Sequence, residues 1–181
     1  MNLLTSTAII GGGIATGAWL WHRGGATANV VDTAIIDAGP ATVFQAIVDE
    51  HDGTTGWWPP HQEMALIEGD TYADPGALVA TTVRVHRAIP IHFTTRTVDA
   101  VADECIRVDY VSGAFRGKVE WLFEPADGRT RLSMYWRVRP VGILRLLAPL
   151  LPITRSHSDT TRIGFEKLDH YLAGARVAEP T

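Results

Sequence analysis

Between Met64 and Arg139 the chain breaks into six short runs rich in β-branched and aromatic residues, and no other feature constrains the fold as much. The runs are Met64 to Ile67, Leu78 to Arg87, Ile91 to Val101, Cys105 to Val111, Phe115 to Glu124 and Arg131 to Arg139. Turn residues divide them at Asp74-Pro75-Gly76, Ile89-Pro90, Asp103-Glu104, Ser112-Gly113 and Asp127-Gly128. Links this short join antiparallel neighbours, because parallel strands need long crossovers. The last two runs alternate: Val119, Trp121 and Phe123 oppose Lys118, Glu120 and Glu124, and Leu132, Met134, Trp136 and Val138 oppose Arg131, Ser133, Arg137 and Arg139. One face of the meander is therefore wet and the other meets an apolar layer.

Helices flank the meander. Val30 to Asp37 predicts a first strand, stopped by Ala38-Gly39-Pro40. Pro40 opens a helix whose apolar positions are Val43, Phe44, Ile47 and Val48, and Asp52 to Trp58 predicts a second short helix, closed by Pro59-Pro60. Val141 to Leu151 is a short lipophilic helix limited by Pro149 and Pro152. Thr154 to Ala173 forms a long closing helix with Thr161, Phe165, Leu168 and Leu172 on one stripe and Ser158 or Asp159 as caps near its start. The fold class is α+β, with about seven antiparallel strands and a long C-terminal helix.

The N-terminus has its own character. From Leu3 to Trp21 no residue is charged, and as a helix this run spans about 28 Å, close to the apolar thickness of a bilayer. Trp19, Trp21 and Arg23 suit a membrane interface, which predicts a single-pass anchor over residues 1–23 with the domain in the cytoplasm. Ala26-Thr27-Ala28 leaves open a cleaved secretory signal and a secreted product. Gly13 and Gly17 offer a small face for a homodimer. Residues 24–29 then form a linker, 30–174 the domain and 175–181 a tail. Net charge is -4, which excludes a strongly basic nucleic-acid surface. Cys105 is the only cysteine, so an intramolecular disulfide is excluded; a small buried hydrophobe is expected there.

The stretch Phe115-Arg116-Gly117-Lys118-Val119-Glu120-Trp121-Leu122-Phe123-Glu124-Pro125, followed by Asp127-Gly128-Arg129-Thr130-Arg131-Leu132, resembles the penultimate hairpin of SRPBCC proteins, the polyketide cyclase/dehydrase and lipid transport family. Leu144 to Leu150 before the last helix is similar to that family's usual link, and Ala38 to Phe44 fits its first helix. The family belongs to the START-like, birch-pollen-allergen-like helix-grip superfamily. The resemblance covers roughly Val30 to Leu172 and implies a curved antiparallel sheet wrapped on the C-terminal helix, with a cavity between them for an apolar molecule such as a lipid, quinone or polyketide. It specifies fold better than chemistry.

No nucleophile, nucleotide loop or metal-ligand spacing stands out, and His51, His61, His86 and His92 are expected to be solvated loop residues. No cofactor and no catalytic residue is therefore assigned. The expected ligand-cavity residues are Trp57, Trp58, Phe93, Tyr110, Val119, Trp121, Phe123, Met134, Trp136, Phe165 and Leu168, each of which would otherwise be core packing. Arg96 and Asp109 lie on central strands; they are either polar cavity groups or outer-face charges, because one residue of register decides between them. Three functions follow: a carrier or sensor of a hydrophobic molecule at a membrane lipid surface, a cyclase/dehydrase-type enzyme, or a protein adaptor with a filled core. A cavity below roughly 300 Å³ would favour the last.

Overall fold

A computed structural model describes residues 25–85 and 89–178. The expected N-terminal anchor or signal, and pairing through Gly13 and Gly17, lie outside the described residues. Among those described, no helix is long and apolar enough to cross a membrane.

The seven strands are β1 (Ala28–Ile36), β2 (Gln62–Glu68), β3 (Leu78–Val85), β4 (Ile89–Val101), β5 (Cys105–Gly113), β6 (Phe115–Ala126) and β7 (Arg129–Pro140). They form one antiparallel sheet in the order β1-β7-β6-β5-β4-β3-β2. The meander is as the turn spacing predicts, and only β1 crosses over, to pair with β7. Bulges between Thr94 and Thr95 and between Thr97 and Asp99 bend β4. Gly117 (φ 136°) lets β6 run against β7 so closely that a Cβ there would sit 2.2 Å from the Arg137 carbonyl oxygen. These irregularities curve the sheet into a trough.

Three helical segments cover it: α1 (Pro40–His51), α2 (Gly142–Leu147) continued by a 3-10 turn (Ala148–Leu150), and α3 (Ile153–Ala178). Helix α3 lies in the trough, burying Thr161, Phe165, Leu168 and Leu172. It begins one residue earlier than expected and runs into the predicted tail, so Ser158 and Asp159 are in its second turn rather than at its cap. Likewise Ala28 and Asn29 belong to β1 rather than to a linker, and Ile89-Pro90 opens β4 rather than forming a turn.

The second helix expected at Asp52 to Trp58 does not form. Gly53 leaves α1 with φ 79°; the Thr54 N–H still returns to the Asp49 carbonyl (3.0 Å), but the Trp57 and Trp58 donors are taken by a side chain instead of by helical carbonyls. Glu50 accepts from the Thr55 hydroxyl (2.6 Å) and from the N–H groups of Trp57 and Trp58 (3.0 Å each). Asp52 accepts from the Thr71 hydroxyl (2.7 Å) and the Tyr72 N–H (2.5 Å), pinning the β2–β3 loop beneath α1. Two carboxylates at the end of α1 thus organise the loops that present Trp58 and Tyr72 to the interior.

Candidate functional site: an aromatic cavity

The space between sheet and α3 has two halves. Under α1 it is solid: Ile36, Val43, Ile47, Leu132 and Leu168 are at most 1% exposed, and Phe44 meets Phe123 edge-on at 5.3 Å. Toward α2, beyond the end of α1, a cavity of about 430 Å³ remains between the sheet and the first turns of α3, within the range of roughly 300–1,000 Å³ typical of small-molecule sites. Its wall carries Trp58, Phe93, Tyr110, Phe115, Val119, Trp121, Met134 and Trp136. Phe93, Tyr110 and Phe115 contact one another with ring centroids 5.0–5.9 Å apart, and Phe115 continues to Trp136 at 6.0 Å. Its rim includes His61, Arg84, Leu151, Pro152, Ile153 and Asp159.

Seven of the expected residues therefore line the cavity: Trp58, Phe93, Tyr110, Val119, Trp121, Met134 and Trp136. Four do not. Trp57, Phe123 and Leu168 belong to the solid half, where the Trp57 indole N–H donates to the Ala46 carbonyl (3.3 Å). Phe165 touches a separate hollow between β1 and α3. Arg96 and Asp109 pair across β4 and β5 on the exposed face, so neither is a cavity group.

Polar groups converge on the hollow half, most of them unforeseen from sequence. The Trp136 indole N–H donates to the Tyr110 hydroxyl (3.0 Å), and the Trp121 indole donates to the Tyr72 hydroxyl. Each phenol oxygen thus accepts from an indole, which leaves its own proton to donate. Burial pushes the Tyr110 pKa up to about 12 and that of Tyr72 higher still, so both are neutral donors. The Trp58 indole nitrogen is buried with no hydrogen-bond partner among the described residues, a third donor on the cavity wall.

His51 is not a solvated loop residue. It is buried, stacks on Tyr72 (centroids 4.0 Å, 10° between planes), and its Nδ1 lies 2.7 Å from the Ile47 carbonyl. A carbonyl only accepts, so Nδ1 carries the proton and Nε2 presents a lone pair. Burial, partly offset by that bond, lowers its pKa and keeps the ring neutral. His157 stacks on Trp136 (4.1 Å, 13°) with Nε2 3.8 Å from an Asp32 oxygen and 3.5 Å from the Thr161 hydroxyl. Desolvation pushes His157 down to about 4, and burial raises Asp32 against a lowering bond from Ser158. The 3.8 Å approach is therefore not an ion pair at neutral pH. At the rim the His61 Nε2 meets the Thr160 hydroxyl at 3.0 Å, linking the loop before β2 to α3.

The sequence did carry signals for some of these groups. Thr81 and Thr95 occupy inward positions of β3 and β4, and polar residues on an apolar face mark a wall with something to bind. His157 is the i−4 extension of the buried Thr161 stripe. His51 and Tyr72 had no such signal, because a long-range loop contact brings them together. Among the described residues no group of three or more His, Cys, Asp or Glu side chains is arranged to hold a metal ion.

The family comparison matches residues 27–156 to polyketide cyclase / dehydrase and lipid transport. The chain belongs to this family. Its fold is shared with solved structures of low identity. TTHA0849 from Thermus thermophilus superposes with a TM-score of 0.67 at 14% identity, covering 82% of this chain and 99% of that one. The Ara h 8.0201 structure gives 0.61 at 16% identity, with the same coverage of 82% and 99%. The Zhui aromatase/cyclase from Streptomyces sp. R1128 gives 0.59 at 16% identity, covering 78% of this chain and 94% of that one. At these identities the likeness establishes the helix-grip fold. No curated protein matches the sequence.

Proposed function

We propose that this SRPBCC protein binds an uncharged, ring-bearing apolar molecule of the lipid, quinone or polyketide class, as a carrier or sensor. The observation that carries this reading is the hollow half of the grip, a cavity of about 430 Å³ walled by stacked and edge-on aromatic rings. Apolar burial at about 25 cal/mol per Å² drives binding, less the cost of immobilising the ligand. Among the described residues no Lys or Arg lies deep inside: Arg84 is at the rim, half exposed and paired with Glu63 at 3.2 Å, so a fatty-acid carboxylate finds no buried cation among them. A void of this size also weighs against an adaptor with a filled core.

A thermal-shift panel of quinones, polyketides and neutral lipids on the full chain tests the proposal. A ligand at a hundred times its Kd adds about 2.7 kcal/mol to stability. Thr95→Phe, which projects a ring into the cavity, is expected to abolish that shift while the protein stays folded. The reading is overturned if no compound raises the melting temperature, or if Thr95→Phe responds as the parent does.

One observation favours a second reading, a cyclase/dehydrase-type enzyme. The neutral Nε2 of His51 lies beside the Tyr72 phenol, an acceptor and a donor suited to move a proton off carbon and onto oxygen of an enolisable carbonyl. Turnover of a polycarbonyl substrate that persists in His51→Asn would remove this reading without touching the first.

The uncharged run from Leu3 to Trp21, with Trp19, Trp21 and Arg23 at its end, supports attachment to a membrane with the domain on the cytoplasmic side. Full-length protein is expected to stay with membranes through alkaline carbonate extraction; release into the supernatant would refute the anchor.

A further inference from the structure

The outer face of the sheet carries charges that the cavity does not use, and its two ends differ. At the β6–β7 turn the cross-strand partners are complementary: Glu124 opposes Arg131, and Arg107 bonds both Glu120 (2.7 Å) and Asp99 (2.8 Å). At the α2 end they are alike. Lys118 opposes Arg137, and Arg116 opposes Arg139. One row across the strands reads Arg96, Asp109, Lys118, Arg137, with a single acid among three cations. Like charges placed directly opposite destabilise a sheet. Arg116 donates to the Gly113 (3.2 Å) and Phe115 (2.6 Å) carbonyls, but among the described residues no ion pair involves Lys118, Arg137 or Arg139, so folding does not account for these three.

The same end presents an apolar tip. Ile143 is 72% exposed, Leu150 70% and Leu147 45%, on α2 and its 3-10 continuation. Leu151, Pro152 and Ile153, which follow directly, form part of the cavity rim. The chain also enters the domain here: Ala28 pairs with Val138 near the end of β7, and a Cβ on Gly25 would sit 2.7 Å from the Arg145 guanidinium of α2. The uncharged run from Leu3 to Trp21 therefore joins the domain at this end. In a chain of net charge -4, a patch of cations beside exposed aliphatic side chains matches one surface chemistry, an anionic headgroup layer over hydrocarbon.

We propose that the α2 end of the sheet docks on an anionic lipid bilayer, with Ile143, Leu147 and Leu150 inserted among the acyl chains, Arg96, Arg116, Lys118, Arg137 and Arg139 facing the headgroups, and the cavity rim held at the lipid. This deepens the ligand-binding reading by naming the surface across which ligand passes. It stands or falls separately from both the ligand and the anchor, because the tip is followed directly.

The test uses the full chain with Leu150→Cys carrying an environment-sensitive fluorophore, in a Cys105→Ala background, reconstituted in phosphatidylcholine vesicles with or without roughly a third of phosphatidylglycerol. Emission is expected to shift to the blue, with quenching by brominated lipid, in anionic vesicles only. The shift should vanish near 1 M salt, where the screening length falls to about 3 Å. The same label at Ala102→Cys, in the β4–β5 turn at the opposite end, stays aqueous throughout. Neutralising Lys118, Arg137 and Arg139 to Gln is expected to lower the docked-to-free ratio about a hundredfold while leaving the melting temperature equal or higher. An aqueous spectrum at position 150 in anionic vesicles overturns the proposal, as does a lower melting temperature of the neutralised variant with docking intact. Failure of the protein to associate with phosphatidylcholine vesicles counts against the N-terminal anchor alone.

Discussion

Trp121 and Phe123 stand two residues apart on the same face of β6, each 2% exposed, yet they belong to different kinds of interior. Phe123 meets Phe44 of α1 and completes the solid half, whereas Trp121 faces the cavity. The two halves draw on similar residue types and are equally shielded from water. They differ in whether α1 packs over them. Because α1 ends at His51 and the Glu50 and Asp52 carboxylates turn the chain away, α1 does not cover the second half, which is closed by loop-borne Trp58 and Tyr72 and by the first turns of α3. Burial alone thus does not distinguish core from binding wall; the opposing layer does.

The largest expected effect separates the halves by stability. Leu168→Ala, in the solid half, should cost about 2–5 kcal/mol, a fall in Tm of roughly 4–20 °C. Met134→Ala, on a wall that already lacks neighbours on one side, should cost about 2 kcal/mol or less. Equal losses in denaturant melts would erase the distinction between a packed and a hollow half.

Acid sharpens the comparison next, since a buried neutral histidine lies on the cavity wall. The folded-state pKa of His157 is about 4 against an ordinary 6.5, so the unfolded chain takes up the proton first. Its contribution is complete above about pH 6.5 and is lost as pH falls toward 4, about 3 kcal/mol in all. His51, lowered by burial, acts in the same direction; Asp32, raised by burial, opposes it at the acid end. His157→Phe, which keeps a ring on Trp136, should flatten the slope of stability between pH 6.5 and 4 seen in urea titrations. An unchanged slope would move the acid sensitivity elsewhere.

A smaller effect is expected from Tyr110→Phe, which deprives the Trp136 indole of its acceptor at the cost of about 1–3 kcal/mol. A carbonyl-bearing ligand should recover part of that loss by accepting from the freed indole. Recovery equal to that given by a hydrocarbon of the same shape would show that the phenol–indole pair has no part in recognition.

Much of the sheet was legible because side chains alternate with period two, and the charges of β6 and β7 fix which face is wet. The same pattern placed Trp121, Met134 and Trp136 inward. It had no means of separating them from Phe123 and Leu168, since alternation reports a face and not the layer opposite. The missing helix at Asp52 to Trp58 has a similar origin: composition and Pro59-Pro60 suit a helix, but the Glu50 carboxylate takes the Trp57 and Trp58 N–H groups seven and eight residues on. Arg96 and Asp109 turned on register, and the β4 bulges that set it leave no mark on periodicity.

The indole resonances of the four domain tryptophans, followed by 1H–15N NMR during ligand titration, test the central claim most directly. The account predicts large shifts for Trp58, Trp121 and Trp136, whose rings wall the hollow half, and almost none for Trp57, whose N–H is bonded to Ala46 beneath α1. A ligand that moves Trp57 as far as the other three, or that binds and moves none of them, would contradict it.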